Sequence, residues 1–171
     1  GLNGSQNPFS GTDTYKSIAH LPLDERVKEM RKKDIKAKIL SEDPIKGSTF
    51  PLINRIGYAQ MYRFGSPPNY NPKPEDSIES LAKKSGVTSA ELAYEILMEN
   101  VGNNFIYAPL VNYAEHTFGV CQKMLEDKNA IMGLGDGGAH VGFILDAGYP
   151  TWLISYWSVK KKVFSMEETI R

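Results

Sequence analysis

The run from Ala130 to His140 constrains this chain more than any other stretch, because it sets one carboxylate inside a glycine-rich turn directly behind a short apolar segment. Ala130-Ile131-Met132-Gly133-Leu134 has no polar and apolar alternation, so it predicts a strand buried on both faces, as in parallel sheets. Asp136 follows where that strand ends, with Gly135 before it and Gly137 and Gly138 after it. Flanking glycines open backbone angles closed to other residues and let a substrate, a metal or a second chain come close. A carboxylate at the C-terminal end of a parallel strand occupies the active face of an α/β barrel. A turn-forming aspartate before glycine is the simpler reading of the same residue.

The rest of the chain reads as mostly helical, α+β overall, with a few short strands. Residues 1–14, rich in Gly, Ser, Asn and Pro, predict a loop leading away from other structure. Residues 15–100 predict a mostly helical region. After a short turn through Ala19, a helix from about Pro22 puts Leu23, Val27 and Met30 on one face, and a second carries Ile35 and Ile39 before Pro44. The stretch from Phe50 to Phe64 has no clean period, and Ser66 to Pro74 is a stiff proline-rich connector. Two punctuated helices follow, one from near Pro74 that stops at Gly86, the other opened by the capping box Thr88-Ser89-Ala90-Glu91, and together they predict an α-hairpin. Residues 101–171 predict a βαβ unit: a strand from Phe105 that Pro109 ends, a helix from about Thr117 to Glu126, and the strand before Asp136. An aromatic helix from Thr151 to Val159 and a capping box at Ser165-Met166-Glu167-Glu168 close the chain.

Gly133-Leu134-Gly135-Asp136-Gly137-Gly138-Ala139-His140-Val141-Gly142, followed by Asp146-Ala147-Gly148-Tyr149-Pro150-Thr151 and Trp157, resembles the region around the last barrel strand of the N-acyl-D-amino-acid deacylases, within the amidohydrolase superfamily. Asn7-Pro8-Phe9, Ile18 to Leu23 with Glu25-Arg26-Val27, and Glu75-Asp76-Ser77-Ile78 are similar to the same family in the same order. The resemblance implies a piece of a (β/α)8 metal-dependent hydrolase barrel, running from an insertion after the seventh strand through the eighth strand, its loop and the start of the next helix. It implies a zinc site to which this chain contributes Asp136, as metal ligand and general base in hydrolysis of an N-acyl amino acid. Zinc would bring a bound water near neutral pKa, and the carboxylate would take its proton and hand it to the leaving amine. The family's His-x-His pair is absent from the chain, so the remaining ligands and the rest of the barrel are expected in other polypeptide, and the isolated piece is expected to be inactive and to self-associate. The truncated helix after Ser165 and the start at Gly1 without methionine agree with that expectation. A free-standing helical interaction module with no catalytic role is the rival reading.

Other residues narrow the function further. His140 either hydrogen-bonds substrate, with Gly137 and Gly138 shaping the loop, or fixes that loop structurally. His20 and His116 read as surface or packing histidines. Tyr58, Tyr62, Phe64, Tyr70 and Tyr107 either line a substrate entrance or form the core of a small layer. Cys121 stands among Phe118, Met124 and Leu125 at helical spacing and reads as a packing residue. Gly133-x-Gly135-x-x-Gly138 matches the letters of the dinucleotide fingerprint, but no acid occupies the position that would meet the ribose. Twenty basic and twenty acidic residues balance, which gives no electrostatic case for nucleic acid or an anionic membrane. No apolar run approaches the roughly 20 residues a membrane span requires, and the default compartment is the cytoplasm.

Overall fold

In the computed structural model the chain is α+β, about half helical, with few and short strands. The structure describes residues 1–4, 6–47, 56–113, 115–133, 135, 142, 144 and 146–170. Two compact units divide it, Gly1–Ala130 and Ile131–Arg171.

The first unit begins with turns tied by their own side chains. Asn7 Oδ1 accepts from the Phe9 amide at 2.9 Å, and Ser10 Oγ accepts from the Asn7 amide at 2.8 Å. Thr12 then caps α1 (Asp13–Ile18), its hydroxyl oxygen accepting from the Tyr15 amide. Helix α2 (Leu23–Met30) buries Val27 and Met30, and α3 (Lys33–Ser41) buries Ile39. These are the spacings the sequence predicts. Residues 1–4 and 6–12 are irregular, yet Leu2 and Phe9 are only 1% and 2% exposed and belong to the same core. A segment without a period still gains the full benefit of burying its apolar side chains.

Helix α4 (Ile78–Ser85) is capped by Ser77 and stopped by Gly86 in the left-handed conformation. Helix α5 (Ser89–Gly102) opens with the predicted box, in which Glu91 accepts from the Thr88 amide at 2.9 Å and Thr88 accepts from the Glu91 amide at 3.2 Å. The two helices pack on each other as the predicted hairpin, and α5 also packs on α2. Ala93, Ile96 and Leu97 of α5 are fully buried. The Tyr94 hydroxyl donates to Met30 O at 2.7 Å, which satisfies a carbonyl left without a helical partner at the end of α2.

Strand β1 (Tyr62–Phe64) pairs antiparallel with β2 (Phe105–Tyr107), Tyr62 opposite Tyr107, Arg63 opposite Ile106 and Phe64 opposite Phe105. This corrects the βαβ expectation. Helix α6 (Gly119–Leu125) follows β2 as predicted, but residues 130–133 form no strand and Ile131 is 89% exposed. A short apolar run becomes a strand only where neighbouring strands take its amide and carbonyl groups, and β2 instead finds its partner in β1.

In the second unit α7 (Tyr149–Trp152), with Pro150 in its first turn, continues as a π-helix over Leu153–Lys160. Trp152 stacks on Tyr156 with centroids 4.6 Å apart, and Tyr156 meets Trp157 edge-on at 5.1 Å. Helix α8 (Met166–Ile170) carries the predicted box, Ser165 N to Glu168 Oε2 at 2.8 Å and Glu168 N to Ser165 Oγ at 3.1 Å.

Candidate functional site

Asp136, Gly137, Gly138 and His140 lie outside the described residues. The glycines before them do not have one role. A Cβ on Gly135 would stand 3.0 Å from Tyr149 Cδ1 and 3.1 Å from Asp146 O, a close approach that only glycine permits comfortably. Gly133 faces open space.

Of the five aromatic residues singled out from the sequence, four come together on one face of the β1–β2 ribbon. Tyr62 and Tyr107 are cross-strand partners with ring centroids 6.5 Å apart, and Phe64 lies 6.0 Å from Tyr107. Tyr70 reaches back from the proline-rich connector and meets Phe64 at 5.7 Å and Tyr107 at 5.9 Å, both edge-on, the geometry that sets a positive ring edge against a negative ring face. Tyr58 stands apart, half-buried against the helical core. The connector is held in place by Tyr113, whose buried hydroxyl lies 2.8 Å from both Asn71 Oδ1 and Pro72 O.

His116 joins this cluster, a position that nothing in the sequence marks. Its Nδ1 lies 2.5 Å from the Tyr62 hydroxyl, and its ring stands edge-on to those of Tyr62 and Tyr113. In the neutral ring with the proton on Nε2, Nδ1 accepts the phenolic proton. His116 also has φ +53°, a conformation uncommon for a residue with a side chain. His20 is exposed, in keeping with its reading as a surface residue.

Burial disfavours the phenolate form at Tyr107, Tyr62 and Tyr58. Burial, with a smaller contribution from the neighbouring Tyr70, Tyr62 and Cys121, pushes Tyr107 up to about 12. Burial and then Asp76 raise Tyr62, and burial raises Tyr58. The Cys121 thiol is likewise pushed up by burial, which keeps it from the reactive thiolate form. Cys121 is only half-buried, and α6 buries none of its residues fully, so its apolar spacing builds no core. The cluster is therefore a set of packed rings in which the buried Tyr62 hydroxyl is already engaged with His116 Nδ1.

The ribbon is anchored to the end of α5. Arg63 pairs with the Glu99 carboxylate, which also accepts from Asn104 Nδ2 at 2.6 Å. Beyond Glu99 the backbone of Asn100, Val101 and Gly102 turns left-handed, with Val101 at φ +54°. A β-branched residue there is strained and persists only where its surroundings impose it.

Among the described residues no group of three or more His, Cys, Asp or Glu side chains could hold a metal ion. A catalytic zinc takes three protein ligands, so the described part of this chain does not form such a site. Nor, among the described residues, is any helix long and apolar enough to cross a membrane. No family model, no curated protein and no solved structure matches this chain.

Proposed function

We propose that this chain is part of a zinc-dependent amidohydrolase that cleaves the amide bond of N-acyl-D-amino acids, and that it is a portion of a (β/α)8 barrel with a helical lid. The observation that carries the reading is the ordered series of similar segments, from Asn7-Pro8-Phe9 through Glu75-Asp76-Ser77-Ile78 to Gly133–Gly142 and Trp157, centred on a single carboxylate in a glycine turn. The half-buried rings of Phe64, Tyr70 and Tyr107, packed beside the buried Tyr62, support it, since a lid over an amide site needs an apolar wall for the acyl group. Asp136 is the general base that takes the proton of the attacking water and returns it to the leaving amine. His140, with Gly137 and Gly138, lies in the loop that meets substrate. The remaining ligands come from the rest of the barrel, and the isolated chain turns over no substrate.

The experiment is an N-acyl-D-amino acid hydrolysis assay on the complete parent enzyme and its Asp136→Ala variant. Loss of at least about a hundredfold in kcat/KM is expected for removal of a general base. An unchanged rate refutes the reading. It would favour the rival, a helical interaction module, for which the independent core of residues 1–130 is the supporting observation.

A further inference from the structure

Arg26 projects from α2 toward the turns at the start of the chain. Its Nη1 donates to Leu2 O at 2.8 Å and, more loosely, to the Tyr15 hydroxyl at 3.4 Å, while Nη2 donates to Leu21 O at 2.7 Å. Its Nε is buried and has no hydrogen-bond partner. Among the described residues the ion pairs link other side chains, and no carboxylate reaches this guanidinium. A half-buried cation facing only neutral acceptors has given up hydration without gaining a counter-ion, which is costly.

Beside it opens a cavity of about 350 Å³, lined by Leu2, Asn3, Gly4, Gln6, Ser10, Tyr15 and Ala19 together with Arg26. That volume lies at the small end of the range for ligand sites. The wall carries no acid. Ser10 Oγ accepts from the Asn7 amide, which leaves its own proton to donate. The long Nη1 contact with Tyr15 is the bond most easily exchanged for a stronger acceptor, and a charged acceptor on a guanidinium forms a bond roughly twice as strong as a neutral one.

We propose that this cavity binds a small organic monocarboxylate, with Arg26 as its counter-ion, Asn3, Ser10 and Tyr15 as its polar wall, and Ala19 against a short apolar tail. One guanidinium neutralises one negative charge, whereas a phosphate dianion would leave a second charge that no other lining side chain neutralises. The site is independent of the hydrolase reading.

The test is an NMR titration of the full 171-residue chain with sodium propionate and, in a separate arm at equal ionic strength, sodium phosphate. Saturable shifts of Asn3, Ser10 and Ala19 amides with propionate are expected, together with a rise in melting temperature from ligand linkage. Because Arg26 also ties three carbonyl and hydroxyl groups together, two variants are compared. Arg26→Gln removes the charge, and Ala19→Leu fills the cavity while leaving Arg26 in place; each weakens propionate binding at least about tenfold, the scale of one charge-assisted contact. Absence of saturation up to about 100 mM propionate, far weaker than the millimolar binding of even a weak ligand, overturns the proposal. So does equal affinity for phosphate, or undiminished binding by Ala19→Leu.

Discussion

Replacing Gly102 by alanine tests whether the left-handed end of α5 is fixed by packing or merely tolerated. Gly102 has φ +81°, and a Cβ added there would lie 2.6 Å from Val27 Cγ2, 3.1 Å from Leu23 Cδ1 and 3.3 Å from Leu2 Cδ1. Two costs add. Placing a Cβ in the left-handed region costs about 1 kcal/mol, and forcing a methyl into a packed core costs a further ~1–3 kcal/mol. Gly86 supplies the control, because it has φ +68° but nothing within 4 Å of its Cβ position. Gly86→Ala therefore isolates the conformational cost of about 1 kcal/mol, while Gly102→Ala carries both, about 2–4 kcal/mol in sum. Urea unfolding followed by far-ultraviolet circular dichroism reads the difference, provided the slope against denaturant is unchanged between variants. Equal destabilisation by the two substitutions refutes the claim that α2 and the start of the chain lock the end of α5.

Three further outcomes follow from the same contacts. Tyr62→Phe removes the hydroxyl that meets His116 Nδ1 and is expected to lower stability by about 1 kcal/mol, with a changed nitrogen-15 signal for His116 Nδ1; an unaltered signal would mean the bond is absent in solution. Thr88→Ala opens the capping box of α5 and costs about 1 kcal/mol by thermal unfolding. Hydrogen bonds from the Thr14 side chain and then its backbone amide hold the Glu42 carboxyl below the usual glutamate range. A depressed carboxyl binds fewer protons folded than unfolded, so its contribution is complete above the ordinary glutamate range and is lost as pH falls through the lower folded value. The stability gap between the parent and Glu42→Gln therefore narrows on acidification, and a gap independent of pH would remove Glu42 as its cause.

The parts of this fold that could be read in advance are those whose cause lies within a few consecutive residues. Thr88 and Glu91, or Ser165 and Glu168, satisfy each other's exposed amides across one turn, and Gly86 ends α4 through its own backbone freedom. The ribbon is of another kind. Tyr62 and Tyr107 are far apart in sequence, and neither three-residue strand is long enough to display a period, so their pairing depends on α4 and α5 bringing the two segments together. The same reasoning explains the opposite error at Ala130–Leu134, where apolar composition predicted a strand and residues 130–133 pair with no strand among the described residues. Residue type alone marked Tyr62, Phe64, Tyr70 and Tyr107, because large aromatic side chains gather wherever a small layer must bury area. His116 carried no such mark: its place is set by a left-handed backbone and by a hydroxyl supplied from β1, both consequences of the tertiary structure. The Arg26 cavity was hidden for the same reason, since an arginine on an amphipathic helix reads as a solvated charge until the turns at the start of the chain fold over it.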